Sequence, residues 1–169
     1  MILKQDEITI RNWMPGDEKQ LAEQGNNPKI ARNLIDTFPS PYTITDAKKW
    51  IKSNKGPKAK NFVVLVDNKV AGGVGYSVKD GDKAHVAVMG YWLGESYWGK
   101  GIGTKAAKML TEYILKDKKI KRVEAKVYTW NPGSKRVLEK AGFTYEGTLR
   151  MSTLKAGKIV DEWLYSIVR

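Results

Sequence analysis

Gly90-Tyr-Trp-Leu-Gly-Glu-Ser-Tyr-Trp-Gly-Lys-Gly-Ile-Gly-Thr104 joins a strand-like apolar run to a loop with glycines at 99, 101 and 103, and a helix-like run, Ile102 to Lys116, starts at once. A strand that delivers such a loop to a helix N-terminus leaves several backbone N–H groups unpaired where the helix dipole is positive. Glycines let a ligand approach the main chain with no Cβ in the way. The stretch predicts a place to hold phosphates.

The flanking sequence sets the frame for this loop. Ile8 to Trp13 alternates and predicts a first strand. Asp17 is the expected N-cap of a helix running to about Gln24, with Gln20 three residues on; a short helix is expected over Lys29 to Leu34, and Thr45 is read as the cap of a helix over Asp46 to Ser53. Phe38-Pro-Ser-Pro-Tyr42 between them reads as a rigid extended loop and Ser53 to Lys58 as a turn. Phe62 to Val66, a turn at Asp67-Asn68, and Val70 to Val78 predict a hairpin, with the glycines at 72, 73 and 75 marking a bulge. Ala84 to Leu93 is the third strand of this meander. After the glycine loop, Ile102, Ala106, Met109, Leu110 and Tyr113 recur on one helical face. Arg122 to Tyr128 alternates as a strand, Asn131-Pro132 opens a last helix that Gly142 stops, and Phe143 to Met151 with Lys158 to Ile167 closes the chain as an antiparallel pair. The expected fold class is α+β: one domain over residues 1–169, with a mixed, mostly antiparallel sheet flanked by helices.

Three ligand classes compete for the loop. Gly94 to Gly101 matches the G-x-x-x-x-G-K of a nucleoside-triphosphate loop, but glycine follows where Ser or Thr should hold magnesium. Gly99-Lys-Gly-Ile-Gly103 is not the G-x-G-x-x-G of a dinucleotide fold, and an antiparallel meander does not lead into a βαβ unit. A coenzyme A site needs only loop amides for the pyrophosphate, and no metal.

The third class is where a family resemblance enters. Gly99-Lys-Gly-Ile-Gly103 after a strand, Asn131 at the end of the next strand and Ala141-Gly-Phe143 closing a helix resemble the GNAT superfamily of acyl-CoA N-acyltransferases. The pieces Pro41-Tyr-Thr, Gly90-Tyr-Trp-Leu, Tyr97-Trp-Gly-Lys-Gly-Ile, Arg122-Val-Glu-Ala and Val137 to Phe143, in this order, resemble its ribosomal-protein N-terminal-alanine acetyltransferase branch over nearly the whole chain. The resemblance implies acetyl-CoA as cosubstrate and transfer of its acetyl group to a primary amine, on a protein N-terminus or a small molecule. It implies a phosphate loop over Trp98, Gly99, Lys100, Gly101, Ile102, Gly103 and Thr104, with Trp98 departing from the family's Arg or Gln. It places Tyr91, Trp92 and Leu93 beside pantetheine through their backbone and Asn131 on the coenzyme arm, and it puts Tyr42 and Trp50 on the substrate side.

The implied chemistry makes three demands. The amine must lose a proton. The oxyanion needs an aimed donor, for which the Leu93 N–H is the expected group. The departing thiolate needs a proton or a hydrogen bond. Many superfamily members supply the last from a tyrosine, but the matching residue here is Leu138; the branch offers a serine, matched by Ser134, which could equally satisfy a free amide in the first helical turn. The branch's usual basic glutamate is replaced by Val88, leaving Glu124, Glu162 or a water chain, and His85 is expected on the opposite face. The chain has no cysteine, so direct attack in a ternary complex is the natural form, and no metal is called for.

Composition narrows the setting. The 169 residues carry a net charge of +12, which favours anionic ligands or simply makes a lysine-rich solvated surface. No apolar run of about eighteen residues suggests a membrane span, and Met1 to Glu7 does not read as a signal peptide. A cytoplasmic protein, monomer or homodimer, is the expectation. A second expectation stands beside the enzyme: a catalytically weak coenzyme A-binding module whose positive surface docks on ribosome or RNA, although no aromatic-rich basic stripe favours nucleic acid.

Overall fold

The structure is a computed structural model and describes residues 2–56 and 58–169. Its strands form one mixed sheet, in the order β1 (Ile2–Gln5), β2 (Ile8–Asn12), β3 (Asn61–Val66), β4 (Lys69–Val78), β5 (Val86–Leu93), β6 (Arg122–Tyr128), β8 (Lys158–Val168), β7 (Thr144–Lys155). All neighbours are antiparallel except β5 and β6. Among the described residues five α-helices flank it: α1 (Glu18–Gly25), α2 (Pro28–Ala31), α3 (Ile44–Ser53), α4 (Ile102–Leu115) and α5 (Pro132–Lys140).

Each face of the sheet buries its own core. Ile8, Ile10, Phe62, Val64, Ala87, Met89, Val123 and Ala125 point to one face and pack against Ala106, Leu110 and Ile114 of α4 and Leu138 of α5. Val63, Leu65 and Val70 point the other way and pack with Trp13, Leu21, Ala47 and Ile51 under α1 and α3. This is the period-2 alternation of strands buried on both sides.

Local signals account for most boundaries. Asp67 and Asn68 both take positive φ, 48° and 63°, as a tight two-residue hairpin requires. Ala71 is the extra residue of a bulge on β4, one place before the predicted glycines, because Val64 pairs with Gly72 while Leu65 pairs with Val70. Gly72 is needed there: a Cβ would lie 2.1 Å from the Trp92 carbonyl oxygen. Asn131 caps α5 through its side chain, accepting from the Ser134 N–H at 3.2 Å, and Pro132 takes the first helical position.

Several local expectations are corrected. Thr43, not Thr45, caps α3: its Oγ1 accepts from the Asp46 N–H and Asp46 accepts from the Thr43 N–H, a reciprocal capping box that uses the earlier threonine. Asp17 makes no side-chain cap; its carboxylate takes two hydrogen bonds of 2.8 Å from Arg11 and one from the Met14 N–H, while Gln20 Oε1 accepts from the Val70 N–H. β1 was not expected, and β7 runs on to Lys155, past the predicted end at Met151. The β7–β8 pairing continues because Arg150, Met151 and Ser152 bulge out opposite Asp161, which accepts from the Met151 N–H, and the ladder resumes at Thr153. His85 lies ahead of β5 on the exposed turn rather than on the strand. The predicted turn over 53–58 includes Pro57, which lies outside the described residues.

Candidate active site

The one parallel pairing among the described residues is short. β5 and β6 are in register only at Val86–Arg122, Ala87–Val123 and Val88–Glu124. Beyond these three rungs β5 continues to Leu93 and β6 to Tyr128 without pairing to each other, so the sheet opens into a split. Which backbone groups face the split follows from the other edge of β5. The bonds Lys79 N–H to Val86 O and Gly94 N–H to Ala71 O mark the positions where β5 bonds to β4. In an antiparallel ladder these alternate, so the even residues 86 to 94 use their N–H and C=O on β4. The odd residues past the last paired rung, Tyr91 and Leu93, therefore turn theirs to the split. A buried unpaired strand edge needs a partner, and an extended amide-bearing chain is one that fits.

The glycine loop stands at the mouth of this split. Gly99 and Gly101 take φ of 73° and 76°, left-handed values that a side chain would strain. Gly101 is the N-cap of α4 and supplies no side-chain acceptor, so the first-turn N–H groups of a fourteen-residue helix are left for an outside anion. Ile102 is buried in the core and Gly103 is buried against Leu93, while Thr104 is half-buried and Lys100 exposed. Lys105 is turned away, to Asp6 at 3.0 Å and Glu7 at 3.3 Å.

Trp98 has a role that its sequence position concealed. Its indole Nε1–H donates to the Leu93 carbonyl at 2.8 Å. The loop is thus pinned to the last strand residue, and the Leu93 carbonyl is satisfied, leaving the Leu93 N–H as the group offered to a ligand. Trp92 points to the opposite sheet face, where Phe38 meets its ring edge-on at 5.5 Å.

Across the split, Ser134 and Asn131 sit at the start of α5. The Ser134 Oγ lies 2.6 Å from the Tyr91 hydroxyl, which is also 3.3 Å from the Ser134 carbonyl oxygen. Burial pushes the Tyr91 hydroxyl up to about 12, the bond with Ser134 opposing it only in part. The Asn131 Oδ1 caps the Ser134 amide, so Ser134 Oγ is not spent on the helix end. Leu138 is fully buried in the core.

The lower part of the split is closed by ions. Glu124, beside Val88, receives Lys79 Nζ at 2.7 Å and Arg122 Nε at 2.8 Å. Burial raises its carboxyl, but the two cations outweigh that and hold it below the ordinary carboxylate range. Arg122 also grips Glu146 through both terminal nitrogens, and Ser166 Oγ donates to Glu146 at 2.6 Å.

The face opposite α4 is closed by a clasp. At the tip of the β7–β8 hairpin, Lys155 reaches Asp36 at 2.8 Å and the Ala156 N–H donates to the same carboxylate. Trp130 donates to Asn33 Oδ1 at 3.1 Å and stacks on Tyr128 at 4.6 Å. Asp36, Phe38, Trp130 and Lys155 line a pocket of about 470 Å³. Glu162 is the register partner of Tyr128, accepts from Ser152 Oγ at 2.9 Å, and has no cation at ion-pair distance among the described residues. Burial, and then the charges of Glu162 and Asp36, raise the Tyr128 hydroxyl. Of the expected substrate-side residues, Tyr42 is buried in the core under α1 and α3 against Phe38, and Trp50 lies exposed on α3; the structure does not bring them together. The sequence reading singles out neither Asp36 nor Trp130, and takes Phe38 only as the start of the rigid loop to Tyr42. The one available signal was a tryptophan between a strand end and a helix cap.

A family model described as an acetyltransferase (GNAT) domain matches residues 7–144. The chain is 27% identical, over 97% of its length and 94% of the relative's, to p20 of Bacillus licheniformis, an uncharacterized N-acetyltransferase. It is also 27% identical, over 72% of its length and 69% of the relative's, to the ribosomal-protein-serine acetyltransferase of Escherichia coli strain K12. A GNAT-family acetyltransferase from Bacillus anthracis superposes with a TM-score of 0.88 at 25% identity, covering 99% of this chain and 98% of the other. The microcin C7 self-immunity acetyltransferase MccE, solved with acetyl-CoA and AMP, superposes with a TM-score of 0.84 at 29% identity, covering 98% and 94%.

Proposed function

This chain belongs to the GNAT acetyltransferase family and is an acetyl-CoA-dependent N-acetyltransferase; we propose that it carries the acetyl group to a primary amine by direct attack within a ternary complex, the amine being a flexible protein N-terminus or a small molecule. The observation that carries this reading is the unpaired edge of β5 ending at a helix whose first-turn amides lack a cap. The amides of residues 99–104 take the pyrophosphate, Tyr91 and Leu93 of β5 pair with the pantetheine arm, and Asn131 meets that arm from the far side.

The Leu93 N–H then aims at the acetyl oxygen as negative charge develops on it. Ser134 Oγ donates to the leaving sulfur. The chain has no cysteine, so no acyl-cysteine stage intervenes. Glu124 is held by two cations and is a poor base. Glu162 has a carboxylate to spare, and we assign it to the incoming ammonium, whose proton passes to solvent through the open mouth. The clasp between Lys155 and Asp36 limits the acceptor to a thin chain or a small molecule. A ribosomal-protein N-terminus fits that limit, and the named Escherichia coli relative is a ribosomal-protein-serine acetyltransferase.

Calorimetric titration with acetyl-CoA, followed by free-thiol detection with a panel of small amines and N-terminal peptides, tests the proposal. Micromolar binding of acetyl-CoA and thiol release that depends on an amine are expected. Binding without release for any amine would leave only a coenzyme A-binding module.

A further inference from the structure

Tyr91 is built on β5, yet its hydroxyl ends at the first turn of α5, so one side chain spans the split. The 2.6 Å contact with Ser134 Oγ is a short O–H···O bond, whereas 3.3 Å to the Ser134 carbonyl oxygen is beyond the usual range. Either hydroxyl could donate in the short bond. A phenol is the more acidic and hence the better donor. Ser134 Oγ has no helix end to cap, because Asn131 already serves the Ser134 amide. With Tyr91 as donor, the serine hydrogen is left for a third partner inside the split.

We propose that Tyr91 is a positioning residue for acetyl transfer: by donating to Ser134 Oγ it turns the serine hydrogen toward the sulfur that leaves acetyl-CoA. The inference rests on the assignment of Ser134 to that sulfur. As the amine attacks, the C–N bond forms and the C–S bond breaks. The electron pair stays on sulfur, and Ser134 and Tyr91 keep their protons while hydrogen-bonded in series. The surplus proton leaves from the new amide nitrogen to solvent. A Tyr91 hydroxyl near 12 lies well above a thiol at about 8.5, so the phenol holds its proton through the step. Serial hydrogen bonds polarise one another, so the serine is a stronger donor with Tyr91 behind it.

The test is a cycle of Tyr91→Phe, Ser134→Ala and the double variant in the full chain, assayed with acetyl-CoA and a saturating amine. Tyr91→Phe should lower kcat about tenfold, with the acetyl-CoA dissociation constant nearly unchanged, and should cost nothing further in the Ser134→Ala background. Penalties that multiply, a wild-type kcat in Tyr91→Phe, or a loss confined to acetyl-CoA binding would each overturn the proposal. Site-specific 3-fluorotyrosine at 91 keeps the shape and lowers the phenol pKa, covering the case in which phenylalanine upsets folding. The alkaline limb of kcat should then move to lower pH, and an unmoved limb would also overturn it. Absence of acetyl-CoA binding in the unmodified protein would instead defeat the underlying functional reading, which is a different result.

Discussion

Trp98 and Leu93 are joined by a 2.8 Å hydrogen bond from the indole Nε1–H to the main-chain carbonyl, which ties the glycine loop to the end of β5, the strand whose Leu93 N–H we propose as the oxyanion donor. Trp98→Phe keeps an aromatic ring but removes the donor together with the pyrrole part of the indole. A single neutral hydrogen bond is worth about 1 kcal/mol, or roughly fivefold in an equilibrium constant. Acetyl-CoA affinity measured by calorimetry should fall by about that factor, and kcat should fall with it because the Leu93 N–H loses its fixed aim.

Gly101 and Gly103 should respond differently to alanine. Gly101 has φ of 76°, so a Cβ there costs roughly 1–2 kcal/mol. The melting temperature of Gly101→Ala should drop by about 3 °C or more. Gly103 lies within α4, and a Cβ would meet Leu93 Cδ1 at an ordinary 3.5 Å. Gly103→Ala should therefore melt no lower than the unmodified protein, and any loss of acetyl-CoA affinity in it reports a close approach of ligand to the main chain.

Glu162 is assigned to the acceptor ammonium. Glu162→Gln should raise KM for the amine about tenfold while leaving the acetyl-CoA dissociation constant unchanged. Steady-state kinetics with the amine varied at saturating acetyl-CoA separates the two. An unchanged KM would move the ammonium site elsewhere.

The Arg122–Glu146 grip sets an acid limit. The hydrogen bonds from Arg122, then that from Ser166, draw the Glu146 carboxyl from the ordinary 4.5 down to about 2. A carboxyl lowered on folding stabilises the fold fully above its unfolded value and loses that stabilisation as pH falls through the folded one. Melting temperature should thus hold above about pH 4.5 and decline between there and about 2. Glu146→Gln should melt lower at pH 7 and show a flatter decline over that interval.

The legible parts of this protein were those carried by neighbouring residues. The Asp67-Asn68 hairpin, the Asn131-Pro132 helix start and the stop at Gly142 each follow from conformations that these residue types favour, and they stand where expected. The helix after the glycine loop showed its buried stripe at Ile102, Ala106, Met109 and Leu110. The misread cap at Thr45 has the same origin: Thr43 and Thr45 are both able caps, and the acidic partner at Asp46 chooses between them by reaching back three residues. Trp98 was read as a departure from the family's loop, because nothing along the chain says that an indole bends back five residues to its own strand.

The order of the strands from β2 onward and of the helices among them, the glycines of the loop before α4 and the want of a thiol nucleophile are properties of the chain as written, since each depends on residue type and local backbone preference alone. Tertiary structure decided where β5 leaves β6, that Tyr91 reaches Ser134 forty-three residues away, that Glu124 is neutralised by Lys79, and that Lys155 closes onto Asp36. Those contacts join positions remote in sequence, and their energies depend on the distance and burial that only the packed sheet sets.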